Sequence, residues 1–216
     1  MTVIDPSARR PTVGQDVAVA RIEYALAEPG GVAVLCGPAG AGVSTVLQLV
    51  WQRCAVARGG LIAGSAAEAR QLIECRRTAS GVILVDDAHL AAEGELDRLV
   101  TIALAEPRLD GVVLAGQGRL LSLLHRSPRL DARVRIRAVL RPLTEEETAV
   151  IVRGRLPGLD CSPGAIRALH EIAAGILAEV VRLVDLAAVV GATDTARGIE
   201  AHDIEAIHCR LVTGAA

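Results

Sequence analysis

Short apolar runs alternate with helical patterns over residues 1–140. Runs such as Val82–Val85 are continuously apolar, as expected for a strand that is covered on both faces. This alternation is typical of a parallel sheet flanked by helices. The predicted strands are 31–36, 60–63, 81–86, 111–115 and 135–140, and the predicted helices are 43–57, 66–76, 91–106 and 119–125.

The pattern changes to helices only after Pro142. Thr144 with Glu147 predicts a capping box, in which each side chain satisfies an amide at the helix start. Ser162 followed by Pro163 predicts a second helix start. Further helical patterns are residues 176–190 and the apolar stripe Ile204, Ile207 and Leu211. The sequence therefore predicts an α/β domain followed by a small all-helical domain, with the boundary between residues 142 and 143.

Composition narrows the classes of protein. All 23 basic residues are arginine, the net charge is −2, and phenylalanine is absent. A negative net charge argues against a protein that coats nucleic acid over its whole surface, although a local basic patch stays open. One Trp and one Tyr are too few for the aromatic platforms that bind single strands. The five widely spaced cysteines are predicted to be buried thiols in a reducing cytoplasm.

An uncharged stretch, residues 29–52, is long enough to span a bilayer. A group of glycines around Pro38 interrupts it and predicts a strand, a loop and a helix instead. The first residues of the chain carry charge but no apolar core of a signal peptide. We therefore predict no membrane segment and no secretion.

The loop between the first predicted strand and helix reads GPAGAGVST. It fits the phosphate-loop pattern G-x-x-x-x-G-K-[ST], except that Val43 stands where the pattern has lysine. Glycines let backbone amides surround a phosphate, and the helix start adds partial positive charge. The alternative is a tight strand–helix turn that needs glycine for packing. The candidate nucleotide-binding residues are Gly37, Pro38, Ala39, Gly40, Ala41, Gly42, Val43, Ser44 and Thr45, with Ser44 also a candidate Mg²⁺ ligand.

A second motif lies about forty residues further on, where an apolar strand ends in Asp86 and Asp87. This is the pattern of a strand whose tip holds Mg²⁺ through water. Asp86 is the candidate metal-side acid, and Asp87 is the candidate that orients or deprotonates the attacking water. The alternative is an Asp-Asp turn that caps the next helix. The two motifs, in this order and on these elements, favour a nucleotide site.

Val43 weakens that interpretation. A phosphate-loop lysine bridges the β- and γ-phosphates, and its loss removes a contact of about 1.5 to 3 kcal/mol or more. Because this chain uses arginine throughout, a simple basic exchange would have placed arginine at position 43. The charge is absent instead.

With these residues in place, the sequence resembles the AAA+ ATPases of the ExeA/GspA general-secretion type and the TniB-like transposition ATPases. The similarity extends from about Gln15 to Ile207, and residues 140–156 are its most specific part. The matching stretches are GGVAVLCGPAGAGVST, GVILVDDAH, GVVLAGQGRLLSLL, RVRIRAVLRPLTEEETAVIVRGRL and IEAHDIEAI. The resemblance implies a P-loop AAA+ core with a five-stranded parallel sheet between helices, followed by a helical lid.

The resemblance also implies roles for further residues. Gln117 matches the polar sensor of the γ-phosphate. Arg133 matches the arginine that such ATPases offer to a neighbouring subunit's nucleotide, although it could equally lie on the solvent face of an edge strand. The family's lid has a sensing arginine where this chain has Ala178, and Arg182 is a candidate substitute.

Three functions stay open. The first is a nucleotide-dependent switch or ATPase, with ATP or ADP and Mg²⁺, which assembles with copies of itself or another subunit through residues 119–141 and the lid. The second is a non-hydrolysing scaffold, which the absent charges at Val43 and Ala178 favour. The third is a DNA-associated factor, since seven arginines and one acid lie between Arg119 and Arg141.

Overall fold

The computed structural model describes residues 11–55, 59–75, 81–191 and 198–213. It divides into two compact units, residues 1–141 and 142–216. The ends of two predicted helices, at residues 56–57 and 76, lie outside the described residues.

The first unit contains a five-stranded sheet of order β2-β3-β4-β1-β5, in which all paired strands are parallel. The predicted five-stranded parallel sheet is confirmed. The strands are β1 (Gly31–Cys36), β2 (Gly60–Ala63), β3 (Gly81–Val85), β4 (Leu109–Gly116) and β5 (Val134–Val139).

Helices cover both faces of this sheet. The helices of the first unit are α1 (Val13–Ala25), α2 (Val43–Val50), α3 (Ala66–Glu74), α4 (Glu95–Ala105), α5 (Arg119–Arg126) and α6 (Pro128–Asp131). Alternate residues of the central strands enter two cores, so that Val34 packs with α3, α4 and α5, whereas Leu35 packs with α1 and α2. Burial on both faces explains why the central strands are continuously apolar.

Two helices differ from the prediction. α2 continues as a π-helical turn over Trp51–Ala55. The helix predicted from residue 91 begins only at Glu95, because Gly94 precedes it with a left-handed φ of 75°, and a short 3₁₀ turn occupies Ala88–Leu90. A residue in that conformation cannot continue an α-helix.

The second unit is helical. Its helices are α7 (Glu145–Arg155), α8 (Pro163–Ala173), α9 (Leu177–Gly191) and α10 (Ala201–Thr213). The capping box of Thr144 and Glu147 is present, and Ser162 caps α8 with Pro163 in its first turn. The predicted stripe on the last helix is confirmed, since Ile204 and Ile207 are buried in the core of this unit. The prediction of buried cysteines is correct for Cys36 and wrong for Cys75 and Cys209, which are exposed.

Candidate functional site

Three strands of the first unit end in residues that the sequence marks as candidates. β1 leads into the loop 37–42, β3 into Asp86 and Asp87, and β4 into Gln117. The strands are parallel, so these ends meet at one edge of the sheet. β4 lies between β3 and β1, which puts Gln117 after the strand that separates the acids from the loop.

The loop after β1 turns sharply through glycine. Gly40 and Gly42 have left-handed φ angles of 79° and 90°, a region that residues with a side chain rarely adopt. Between them, the Ala41 amide donates to the Pro38 carbonyl at 3.1 Å and closes a turn. The loop therefore has a defined backbone conformation in which glycine is required at two positions.

Gly37 lies where there is little space for a side chain. A Cβ there would lie 3.0 Å from Leu140 Cβ and 3.1 Å from Val43 Cγ2. Its amide donates to the carbonyl of Gly116, at the end of β4, at 3.2 Å. The base of the loop is thus fixed to the strand that leads into Gln117.

Helix α2 begins without a side-chain cap. Gly42 is its N-cap residue, and within the described part of the chain no side chain accepts a hydrogen bond there. The first intrahelical bond runs from the Val46 amide to the Gly42 carbonyl at 3.0 Å, which leaves the amides of residues 43–45 without an intrahelical acceptor. Such a helix start attracts anions, and phosphate is a typical partner. The side chains of Ser44 and Thr45 are exposed beside these amides.

Val43 contributes an apolar contact to this loop. Its side chain is partly buried and packs against the core that α1 and α2 form on the sheet. The position that would carry the lysine of a phosphate loop is therefore used for packing, and the backbone amides at the start of α2 are the donors that the loop itself offers to an anion.

Asp86 and Asp87 differ in environment. The Asp86 amide donates to the Ala63 carbonyl at 2.8 Å, which extends the pairing of β3 with β2. Asp86 is partly buried, and its Oδ1 accepts a hydrogen bond from the Asp87 amide at 2.9 Å. Asp87 is exposed and has a left-handed φ of 46°, which is uncommon for a residue with a side chain and clusters at functional sites.

Asp87 does not cap the turn that follows. It is the N-cap residue of the 3₁₀ turn Ala88–Leu90, but its side chain makes no capping hydrogen bond with the described residues. The capping alternative raised by the sequence therefore lacks its hydrogen bond, and the carboxylate of Asp87 is exposed to solvent at the edge of the sheet.

Sequence reasoning missed two residues beside these acids. His89 is buried at 8% exposure in the 3₁₀ turn, and Arg119 of α5 donates to its carbonyl at 2.6 Å. Arg119 also donates to the Ala91 carbonyl at 3.5 Å. Arg119 therefore fixes the segment after the acids to the helix that follows Gln117. The contact joins residues 30 positions apart, so no local pattern announces it.

Arg133 lies at the amino ends of the strands, whereas the phosphate loop lies at their carboxyl ends. It directly precedes β5, a six-residue strand, and the carboxyl end of that strand is at the edge of the phosphate loop. At about 3.3 Å per residue, the strand separates Arg133 from that edge by roughly 16 to 20 Å. Arg133 donates to Thr101 Oγ1 of α4 at 2.9 Å. It therefore cannot serve the loop of its own chain.

The arginines of residues 119–141 do not form one free ridge. Arg135 pairs with Glu28 at 2.9 Å, and Arg137 pairs with Asp131. With Arg119 and Arg133, four of the seven arginines thus bond to groups of their own unit. These contacts agree with the alternative that the charged side chains of β5, an edge strand, prevent it from pairing with a strand of another chain.

In the helical unit, Arg182 lies on α9. Its guanidinium pairs with Glu179, one turn earlier, at 2.7 Å. The candidate substitute for the sensing arginine is therefore held by a local ion pair on its own helix.

The described residues contain neither a cluster of metal ligands nor a membrane-spanning helix. Across residues 11–55, 59–75, 81–191 and 198–213, no three His, Cys, Asp or Glu side chains cluster in a way that could hold a metal ion. Any Mg²⁺ at this edge would take water or phosphate oxygens as further ligands. None of the helices in the same residues is long and apolar enough to cross a membrane.

Comparison with solved structures identifies the fold of this chain. No protein-family model matches the sequence, and no curated protein is similar to it. Solved structures do match. The ORC2 protein of Aeropyrum pernix in its ADP form aligns with a TM-score of 0.60 and 12% identity, over 89% of this chain and 66% of that chain. The fold is that of the AAA+ P-loop ATPases.

Two further AAA+ structures agree. The Holliday junction branch migration motor RuvB of Thermotoga maritima aligns with a TM-score of 0.66 and 14% identity, over 92% of this chain and 68% of that chain. Hsp104 with ATPγS and casein aligns with a TM-score of 0.65 and 15% identity, over 95% of this chain and 44% of that chain. The chain spans less than two thirds of the ORC2 and Hsp104 chains. At these identities, the likeness establishes the AAA+ fold and not a shared activity.

Proposed function

We propose that this chain binds an adenine nucleotide with Mg²⁺ at the carboxyl edge of its sheet and acts as a nucleotide-dependent switch or ATPase within a protein assembly. The observation that carries the proposal is the uncapped start of α2. Three successive amides, those of residues 43–45, lack an intrahelical acceptor beside a glycine loop of fixed conformation. A phosphate group is the partner that such an arrangement accommodates best.

The proposed roles follow from position. The loop 37–45 surrounds the phosphates with its amides. Ser44 and, through water, Asp86 would hold Mg²⁺, which would neutralise charge on the phosphate oxygens. The residues fit that ion because the Ser44 hydroxyl is exposed at the helix start and the Asp86 carboxylate is partly buried near the same edge. Asp87 orients or deprotonates the attacking water, and Gln117 contacts the terminal phosphate.

Arg133 acts in this proposal on the nucleotide of a neighbouring subunit. Arg133 lies at the amino ends of the strands, away from the phosphate loop of its own chain. This position supports a role at a neighbour's nucleotide over a role at its own. Self-association through residues 119–141 and the helical lid would bring it to a neighbour's site. An ExeA- or TniB-like place in secretion or transposition, and a cytoplasmic location, belong to the same proposal and rest on the sequence resemblance.

A non-hydrolysing scaffold is the second candidate, and one observation favours it. Val43 packs into the core where a phosphate loop carries lysine, so the site has lost its strongest contact to the terminal phosphates. A DNA-associated role has less support, because four of the seven arginines in residues 119–141 already bond within their unit.

Calorimetric titration with Mg-ATP and Mg-ADP tests the proposal. We expect wild-type binding to require the loop, so that Gly42→Val, which cannot adopt a φ of 90° without strain, abolishes it. Gly154→Ala is the matched control, since that glycine of α7 has open space around it and should leave binding unchanged. Absence of wild-type binding at millimolar nucleotide would contradict the proposal.

Phosphate release separates the switch or ATPase from the scaffold. If the chain hydrolyses ATP, Asp87→Ala should abolish release while nucleotide still binds. Binding without any release by the wild type would make the chain a non-hydrolysing switch or scaffold.

A further inference from the structure

His89 is a buried histidine whose Nδ1 atom has no hydrogen-bond partner among the described residues. A buried polar nitrogen without a partner is unfavourable, and each such group in a folded protein calls for an explanation. The carboxylate of Asp87 lies at 3.8 Å from it, between Nδ1 and Oδ1. That distance exceeds a hydrogen bond by about 0.6 Å.

The surrounding backbone is shaped for the ring of His89. A Cβ on Gly116 would lie 2.9 Å from His89 Nδ1 and 3.0 Å from its backbone nitrogen. Only glycine at the end of β4 leaves room for the imidazole at this place. The same Gly116 accepts the amide of Gly37, so one residue contacts both the phosphate loop and the ring.

The backbone of Asp87 and His89 is also constrained. Asp87 has a left-handed φ of 46°, and Arg119 holds the His89 carbonyl at 2.6 Å. Such a conformation persists in a residue with a side chain only when its surroundings enforce it. The strained aspartate, the clamped turn and the glycine that makes room together keep the imidazole beside the carboxylate.

We propose that His89 is a positioning residue for Asp87. The Nδ1–H of His89 points at the Asp87 carboxylate and fixes the orientation of that carboxylate. A neutral imidazole carries its proton on one nitrogen, and the neighbour of each nitrogen decides which. With the proton on Nε2, a lone pair on Nδ1 would face the negative carboxylate. With the proton on Nδ1, the same contact is attractive.

The consequence for the site rests on the proposed function. One carboxylate oxygen of Asp87 is directed by Nδ1–H, and the other is left to accept a proton or hydrogen bond from water. The arrangement resembles the general pattern in which a second group orients a catalytic base. His89 itself does not reach the nucleotide in this proposal.

Nitrogen-15 spectroscopy of the histidine side chains tests the assignment without nucleotide and without turnover. His89→Gln identifies the His89 signals among those of the five histidines. We expect the neutral His89 of the wild type to carry its proton on Nδ1, and Asp87→Ala to shift the proton towards Nε2. A wild-type proton on Nε2, or a spectrum that Asp87→Ala leaves unchanged, would overturn the proposal.

Steady-state hydrolysis supplies a second test with isosteric variants. Asn places an amide N–H near the position of Nδ1, whereas Gln places one near Nε2. We expect His89→Gln to lower kcat about 10-fold with KM unchanged and His89→Asn to stay within about twofold of wild type. Equal losses in both variants would indicate a packing role and contradict the proposal. A wild type that does not hydrolyse ATP would refute the ATPase alone, because the tautomer measurement still decides the role of His89.

Discussion

Replacing Val43 by lysine is the perturbation that most directly probes the missing charge. Val43 is partly buried against the core of α1 and α2, at the first position of α2. A lysine there can extend its ammonium from the helix start towards phosphates held by the neighbouring amides.

The substitution changes nucleotide affinity and folding stability separately. A hydrogen bond to a charged group contributes about 1.5 to 3 kcal/mol, equivalent to roughly 10- to 150-fold in affinity. The substitution costs about 1 kcal/mol of folding stability, because apolar area of Val43 is exposed again. A cation at a helix start costs a further ~0.3 to 1 kcal/mol. These costs lower the free energy of unfolding of the unliganded protein, not the affinity itself.

Calorimetric titration of Val43→Lys beside wild type measures the gain. We expect tighter binding of both nucleotides, with the larger gain for Mg-ATP because lysine contacts the γ-phosphate as well as the β-phosphate. Val43→Met is the control, since it adds length without charge and should bind as wild type does. Equal affinity of Val43→Lys and wild type, or an equal gain in Val43→Met, would refute the reasoning.

Two further predictions concern stability and are checked by urea unfolding. Gly111→Ala should lower the free energy of unfolding by about 1 to 3 kcal/mol, because the new Cβ would lie 2.6 Å from the Gly31 carbonyl oxygen. Gly118→Ala, with open space around it, should stay within about 0.5 kcal/mol of wild type, and an equal loss in both would refute the steric argument. Burial raises the pKa of the Cys36 thiol, and a hydrogen bond from the Gly37 backbone lowers it by less. The protonated thiol is therefore favoured in the folded state, so its contribution is complete below the ordinary thiol pKa of about 8.5 and is lost as pH rises through the folded pKa. Wild type should lose more stability than Cys36→Ala over that alkaline range, and parallel pH profiles would contradict this.

Hydrophobic runs and capping residues were enough to predict most of the AAA+ fold. The buried strands are continuously apolar, and the starts of α7 and α8 carry side chains whose bonds are local in sequence. Local chemistry of this kind can be read without the rest of the chain.

Helix α1 was not predicted, and its surface explains the omission. It buries Val19 and Ile22 but exposes Val13, Val17 and Tyr24, so apolar residues occur on both sides. A helix of that kind lacks the single apolar face on which the sequence pattern depends.

The candidate site was predictable only in part. The loop 37–45 and the two acids are recognised from local sequence motifs, and in the structure they follow the carboxyl ends of strands in one sheet. His89 and Arg119 could not be found from the sequence, because their contacts come from segments 30 residues apart. The packing of Val43 could not be predicted either, because the motif spacing shows only that position 43 is not lysine.

The most direct test of the central claim is a titration of ¹⁵N-labelled wild-type protein with Mg-ADP, followed through its backbone amide signals. The account predicts that the amides of residues 42–45 shift most, because those of residues 43–45 lack an intrahelical acceptor and Gly42 forms the N-cap beside them. Saturable shifts that are largest at these residues would establish the start of α2 as the phosphate site. No shift at millimolar Mg-ADP, or shifts confined to residues 142–216, would contradict it.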